Sequence, residues 1–269
     1  MPNPSLYRSV LITGSSAGLG EEFARQLAGS CDQLILIARR EDRLLALASD
    51  LKVAFPHLDV LHFAVDLIDR EERTKFIQLL ADHGAKPDLV INNAGMGDYG
   101  EFSEAHWDKL EQMLELNINA LTQLTHALLP SMLERDYGDI INVSSLASVL
   151  PIPDFAVYAA TKAYVSSFSE AIRMELKGKG INVLALCPGP VHTEFGKVAM
   201  RGEEKNKIPG SEFFYTDKVQ VVAEALDGLR KRKARVYPGW KISLAALAIS
   251  AIPLVGLRLI MGTRPRRER

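Results

Sequence analysis

The chain is short of several things at once, and each shortage removes a class of function. Its only two cysteines, Cys31 and Cys187, make no disulfide framework, no CxxC redox pair and no thiolate metal cluster. The six histidines include no pair at ligand spacing, so no metal site is expected, and His192 reads as a loop residue. Net charge is only −1, which leaves no electrostatic reason to expect a nucleic-acid partner. Uninterrupted apolar runs fall short of the ~20 residues that cross a bilayer. The apolar stretch that ends at Thr13 is too brief for a secretory signal, so a cytoplasmic setting is expected. Low-complexity linkers and repeats are also lacking. With 47% hydrophobic and 24% charged residues over 269 positions, there is enough apolar material for one large folded unit.

What the chain does contain is alternation. Short apolar runs at 9–13, 33–38, 60–65, 89–92, 139–144 and 182–187 read as buried strands. Helical patterns separate them at 21–28, 43–51, 69–81, 103–133 and from about 154 to 176, with another at 217–230 and an edge strand at 236–237. Strands that are apolar throughout and alternate with helices imply a parallel sheet covered on both faces. The expected architecture is therefore α/β: one doubly wound domain over residues 1–237, followed by an unusual tail at 238–269.

Two stretches carry chemistry. Residues 13–20, TGSSAGLG, sit between the first strand and the first helix, where backbone N–H groups and a helix N-terminus can face a phosphate. Gly14 permits the tight turn, Gly18 admits a pyrophosphate and Gly20 allows helix and strand to close together. The second strand then ends in Ala38-Arg39-Arg40, without the acidic residue that would accept from an NAD ribose. Two guanidinium groups there favour a 2′-phosphate, hence NADP(H). The other stretch begins at Asp154, where Tyr164, Phe168, Ile172 and Leu176 recur at helical spacing. On that helix Tyr158 and Lys162 stand one turn apart. An ammonium beside a phenol is expected to lower the phenol's pKa from ~10 and fit it for acid–base work.

Taken in order, these residues resemble the short-chain dehydrogenase/reductase family in its shorter single-domain branch. The motifs are TGSSAGLG, the Asp66 after the third strand, NNAG at 92–95, Asn117 in ELNINA, Ser144-Ser145, YAATK at 158–162 and PGPVHT at 188–193. The resemblance implies a Rossmann fold and a catalytic set of Asn117, Ser145, Tyr158 and Lys162. Ser145 would bond the substrate carbonyl, and Tyr158 would exchange its proton. Lys162 would tune the tyrosine and hold the nicotinamide ribose, and Asn117 would hold a relay water, with Asn119 the alternative. It further implies cofactor contacts from Gly14, Ser16, Gly18, Leu19, Gly20, Arg39, Arg40, Asp66, Leu67, Asn93, Ala94, Gly95, Tyr158, Lys162, Pro188, Gly189, Val191 and Thr193. Ala17 departs from relatives that carry a basic residue there, so NADP(H) rests on Arg39 and Arg40. The family's dimers and tetramers make a homo-oligomer the expected state.

Residues 194–216 match the family's substrate lid. Phe195, Met200, Phe213, Phe214 and Tyr215 there, with Met96 and Tyr99, suit an apolar substrate or simply pack the lid down. Between 242 and 257 the tail has no charge, and the chain ends with Arg264, Arg266, Arg267 and Arg269. Such a tail either covers a subunit interface or the substrate mouth, or anchors at a membrane surface through Trp240 and its basic neighbours. The expected activity is interconversion of a ketone or aldehyde and an alcohol on an apolar or acyl-like substrate. The alternatives are a cofactor-sensing regulator without turnover and a membrane-attached lipid reductase.

Overall fold

Seven parallel strands form the centre of the molecule in the order β3-β2-β1-β4-β5-β6-β7. They are β1 (Tyr7–Thr13), β2 (Cys31–Ala38), β3 (Asp59–Ala64), β4 (Leu89–Asn92), β5 (Gly138–Val143), β6 (Ile181–Leu186) and β7 (Arg235–Val236). The computed structural model describes residues 6–201 and 212–262. Helices α1 (Gly18–Leu27), α2 (Glu41–Ala54) and α8 (Lys218–Arg230) pack on one face of the sheet. On the other lie α3 (Arg70–Asp82), α5 (Leu121–Arg135) and α6 (Ala156–Glu175). The alternation of strand side chains makes these two layers: Val10, Ile12, Leu34 and Leu36 enter the first core, and Leu11, Ile35 and Ile37 the second.

Two elements differ from the sequence reading in ways that matter. The single long helix expected over 103–133 is interrupted. A 3₁₀ turn at Phe102–Glu104 precedes α4 (Trp107–Leu114), and a π-helical turn at Glu115–Ala120 joins α4 to α5. Such widened turns leave no mark on a 3.6-residue period and often lie at functional sites. The apolar stripe that identifies α6 is buried only towards its C-terminal end, where Ile172 and Leu176 join the second core; Tyr164 is exposed and stacks on Phe168 at 5.8 Å. The face turned inward carries Tyr158, Thr161, Lys162, Val165, Ser166 and Ser169. Its polar groups are satisfied locally: Ser144 Oγ donates to the Lys162 carbonyl (2.8 Å), and Asn142 Nδ2 to Ser169 Oγ (3.0 Å). A predominantly polar helix face in the interior belongs to a site more than to a core.

The remaining helices stand at the C-terminal end of the sheet. They are α7 (Phe195–Ala199), α9 (Trp240–Ala251) and α10 (Leu254–Gly262). Residues 202–211 of the expected lid and the terminal arginines lie outside the described residues. Among the described residues, no helix is long and apolar enough to cross a membrane.

Candidate active site

The strand order reverses between β1 and β4, and a crevice for a ligand is expected at the C-terminal ends of that pair. The turn after β1 is shaped by its glycines. Gly14 has a φ of 66°, and a Cβ on Gly20 would lie 2.3 Å from the Gly14 carbonyl oxygen, so α1 closes onto the turn only with glycine there. Asn93 fastens the turn from β4: its Nδ2 donates to the carbonyls of Thr13 (2.9 Å) and Gly14 (3.2 Å). Thr13 Oγ1 in turn accepts from the N–H groups of Asn93 (3.0 Å) and Ala94 (2.9 Å). The first turn of α1 begins after Ala17 with no side-chain cap, which suits it to receive an anion. Ser16 and Leu19 are part-exposed on this turn, and Gly18 lies against Thr193, 3.2 Å from its Cγ2 to a built Cβ.

The structure separates the two arginines after β2. Arg40 folds back over the turn, its Nε and Nη2 3.3 and 3.2 Å from Ser16 Oγ, and its Nη1 donates to Glu194 at 2.7 Å. Arg43 reaches the other oxygen of the same carboxylate at 3.1 Å. These hydrogen bonds, Arg40's first, hold the Glu194 carboxyl below its ordinary range. Arg39 stays largely exposed and meets Asp66 at 3.9 Å. The cation cluster thus centres on Arg40 and Arg43, with Arg39 at its edge. Sequence reasoning missed Arg43, which looks like the start of a solvated helix, and Glu194, which is 151 residues further on. Leu67 is buried in the core beside Phe76, so its side chain offers no surface to an adenine.

The residues expected to handle the proton gather beside Gly95. A Cβ on Gly95 would be 3.3 Å from both Asn117 Oδ1 and Lys162 Nζ. Asn117 is buried and held on all sides. Its Nδ2 donates to the Met96 carbonyl (2.9 Å) and Thr161 Oγ1 (3.0 Å), and its Oδ1 accepts from Met96 N–H (3.0 Å). The π turn points it inward, whereas Asn119 is exposed and bonds Glu115. Ser145 Oγ accepts from Ala147 N–H (3.1 Å), and its hydroxyl lies beside the Tyr158 phenol.

The expectation that Lys162 lowers the Tyr158 pKa is not met in this arrangement. Lys162 Nζ donates to the Val143 carbonyl at 2.8 Å and sits 5.7 Å from the centre of the Tyr158 ring. Burial pushes the phenol up to about 12, against the pull of the neighbouring Ser145 hydroxyl, and brings the Lys162 ammonium down to about 8. Desolvation outweighs the i,i+4 proximity because the two polar ends do not touch.

Aromatic side chains surround Tyr158. Phe155 stacks on it at 4.2 Å and Phe195 of α7 tilts against it at 5.4 Å. Met96, Tyr99, Phe155, Phe195 and Met200 thus form one cluster with Tyr158. Phe213 and Phe214 remain substantially exposed. Asp98, whose carboxylate is wholly buried, ties this lid down: Arg201 Nε donates to it at 2.9 Å and Lys109 pairs at 3.2 Å. Burial alone would raise that carboxyl, but the two cations win and hold it below its usual range.

The turn after β6 completes the site. Pro188 is buried and its carbonyl accepts from Leu146 N–H (2.8 Å); Val191 bridges to Thr216 across the lid. A Cβ on Gly189 would be 2.4 Å from Ile242 Cδ1, so α9 rests directly on this turn. Among the described residues no group of three His, Cys, Asp or Glu could hold a metal.

Comparison with known proteins agrees with this geometry. The short chain dehydrogenase family model matches residues 8–204. The human very-long-chain 3-oxoacyl-CoA reductase is 31% identical over 223 residues, which cover 81% of this chain and 70% of that protein. Sulfoacetaldehyde reductase 2 of Chromohalobacter salexigens is 34% identical over 80% of this chain and 83% of its own. Among solved structures, a short-chain dehydrogenase from Sphingobium yanoikuyae in complex with NADPH superposes with a TM-score of 0.80, at 29% identity, over 97% of this chain and 98% of that one. The crevice, the glycine turn and the buried tyrosine are therefore those of an oxidoreductase, and the chain belongs to the short-chain dehydrogenase/reductase family.

Proposed function

We propose that this oxidoreductase uses NADP(H) to interconvert a ketone or aldehyde and an alcohol, with Tyr158 as the general acid and base. One observation carries the reading. The buried Tyr158 phenol stands beside Ser145 within an apolar cluster, with Lys162 and Asn117 meeting at Gly95. The residues present fit the cofactor: the uncapped first turn of α1 suits the pyrophosphate, and Arg40 with Arg43 and Ser16 suits a 2′-phosphate. The nicotinamide, when bound, supplies or takes up the hydride. Lys162 would hold the adjoining ribose hydroxyls, and Pro188, Gly189, Val191 and Thr193 would orient the amide.

In the reductive direction Ser145 Oγ donates to the substrate carbonyl oxygen, and Tyr158 gives that oxygen its proton. With a pKa of about 12 the phenol is protonated throughout the neutral range. Lys162, at about 8, is an ammonium at pH 7 and would return a proton to the phenol through an intervening hydroxyl or water, since the two side chains do not touch. Asn117 fixes the Met96 backbone beside this path and would hold the water that connects it to solvent. The aromatic wall excludes bulk water and favours an apolar or acyl-like chain, in keeping with the relative named for 3-oxoacyl thioesters. Self-association would use the long helices, where α6 exposes Tyr164 and Tyr164 Oη bonds Thr122 of α5 at 3.1 Å.

Loss of NADPH absorbance against a panel of ketones and aldehydes tests the activity. Tyr158→Phe is the decisive control. Abolished turnover with NADPH still bound supports the enzyme, whereas a chain that binds NADPH and turns over no carbonyl compound is the cofactor sensor.

A further inference from the structure

The two C-terminal helices present an apolar surface that the fold does not cover. On α9, Trp240, Leu244 and Leu247 fall at i, i+4 and i+7, one stripe along the helix, and they are 70%, 60% and 71% exposed. The opposite side, Ile242 and Ala246, is buried against the body. Beyond Pro253, α10 repeats the pattern with Val255 and Leu259, also mostly exposed. The charges these two helices themselves carry, Lys241 and Arg258, are both basic, with Glu224 accepting from Gly239 N–H at the start of α9. From Pro238 to the end the sequence carries Lys241, Arg258, Arg264, Arg266, Arg267 and Arg269 against the single acidic Glu268.

We infer that α9 and α10 form a docking face for an anionic lipid surface. An exposed apolar stripe on helices whose own charges are basic matches a plane that is apolar beneath and negative on top. A second copy of this chain matches less well. Across a two-fold axis the same patch meets itself, which would set Lys241 and Arg258 against their own like charges. Neither helix spans. At 12 residues α9 is ~18 Å long, so it lies in the interface, where a tryptophan at its start is well placed.

The position of α9 gives docking a use, and this part rests on the reading of an acyl-like substrate. Its buried side rests on Gly189, and Lys241 Nζ donates to the Phe213 carbonyl (3.2 Å) and lies 3.8 Å from the Phe213 ring. The helix that faces the lipid is thus one wall of the site mouth. A substrate with a long apolar chain would partition into that same surface.

Flotation of the full chain with phosphatidylcholine vesicles, with and without phosphatidylglycerol, tests the docking. Emission of Trp240 is followed in parallel in a Trp107→Phe background. The chain is expected to float only with the anionic vesicles, and Trp240 emission to shift to shorter wavelength. Leu244→Ser with Leu247→Ser should abolish flotation while NADPH affinity and mass by light scattering stay unchanged. Each of Arg264→Ala, Arg266→Ala and Arg267→Ala should weaken partitioning about fivefold. No flotation with anionic vesicles, or equal binding to neutral ones, overturns the proposal. So does a serine variant that loses an oligomer present in the parent, because the face then belongs between copies. Should the serine variants misfold, the Trp240 shift in the unaltered face still decides. Tyr158→Phe must float as the parent does; a chain that floats but turns over nothing refutes the enzyme reading and leaves the docking intact.

Discussion

The two ends of the crevice are built from opposite materials. At the proposed nicotinamide end Asn117, Tyr158 and Lys162 are buried; Asn117 and Lys162 are hydrogen-bonded to backbone, and Tyr158 is stacked on Phe155. At the phosphate end Arg40, Arg43 and Glu194 are about half exposed and bonded chiefly to one another. The first end gains geometry from the core and has little freedom to rearrange. The second is held by ion pairs that solvent screens, each worth ~0.2–1 kcal/mol, so its partners can be exchanged. Chemistry is assigned to the rigid end and affinity to the adaptable one.

That contrast can be broken most sharply at Tyr158. Tyr158→Phe should lower the carbonyl reduction rate by about 10²–10⁴-fold, while NADPH titration by fluorescence changes little. A comparable loss of cofactor affinity would mean that the two ends are not separable. Next in size, Arg40→Ala combined with Arg43→Ala should weaken NADPH binding by about 10–100-fold and leave NADH almost untouched. Equal losses for both nucleotides would remove the 2′-phosphate from these side chains.

A pH series probes the rigid end. Lys162 titrates at about 8 in the folded chain, below the ~10.4 of an unfolded lysine. Carbonyl reduction should be flat below pH 8 and decline above it as the ammonium is lost. Stability should move the other way. Between those two values the unfolded chain binds the extra proton, so ΔG of unfolding rises with pH. Denaturant melts of the parent and Lys162→Met isolate this contribution; parallel curves would show that Lys162 does not titrate in that window. The smallest effect sharpens the adaptable end. Glu194→Gln removes the carboxylate that engages Arg40 and Arg43, and NADPH affinity should rise by about 3-fold, the worth of one screened pair. Weaker binding would make Glu194 a support for the arginines instead of a competitor.

Much of this arrangement could be read before any coordinates. Largely buried strands announce themselves as apolar runs, and all seven fall within two residues of where the sequence places them. The glycines of the first turn and the Tyr158–Lys162 spacing are likewise local signals. What escaped is long-range or non-periodic. Glu194 meets Arg40 and Arg43 only because the fold brings α7 over the glycine turn. The Lys162 ammonium is held by a carbonyl on β5 that no helix pattern could indicate. On the first half of α6 the hydrophobic stripe missed the inward face, which is chiefly hydroxyls and an amine, although its last members, Ile172 and Leu176, join the core. Asp98 with Arg201 pins the lid across 103 residues and left no sequence trace at all.

The widened turn at Glu115–Ala120 has a consequence for any edit of this chain. Removing one residue from it would return the segment to ordinary α pitch and swing everything upstream through ~100° about the helix axis. Trp107–Leu114 would then offer a different side to the protein, and the amide that now clasps Met96 would turn away from the lysine. Length at this point is as much a determinant as identity: a substitution could be repaired by its neighbours, whereas a one-codon deletion would rewire the whole wall.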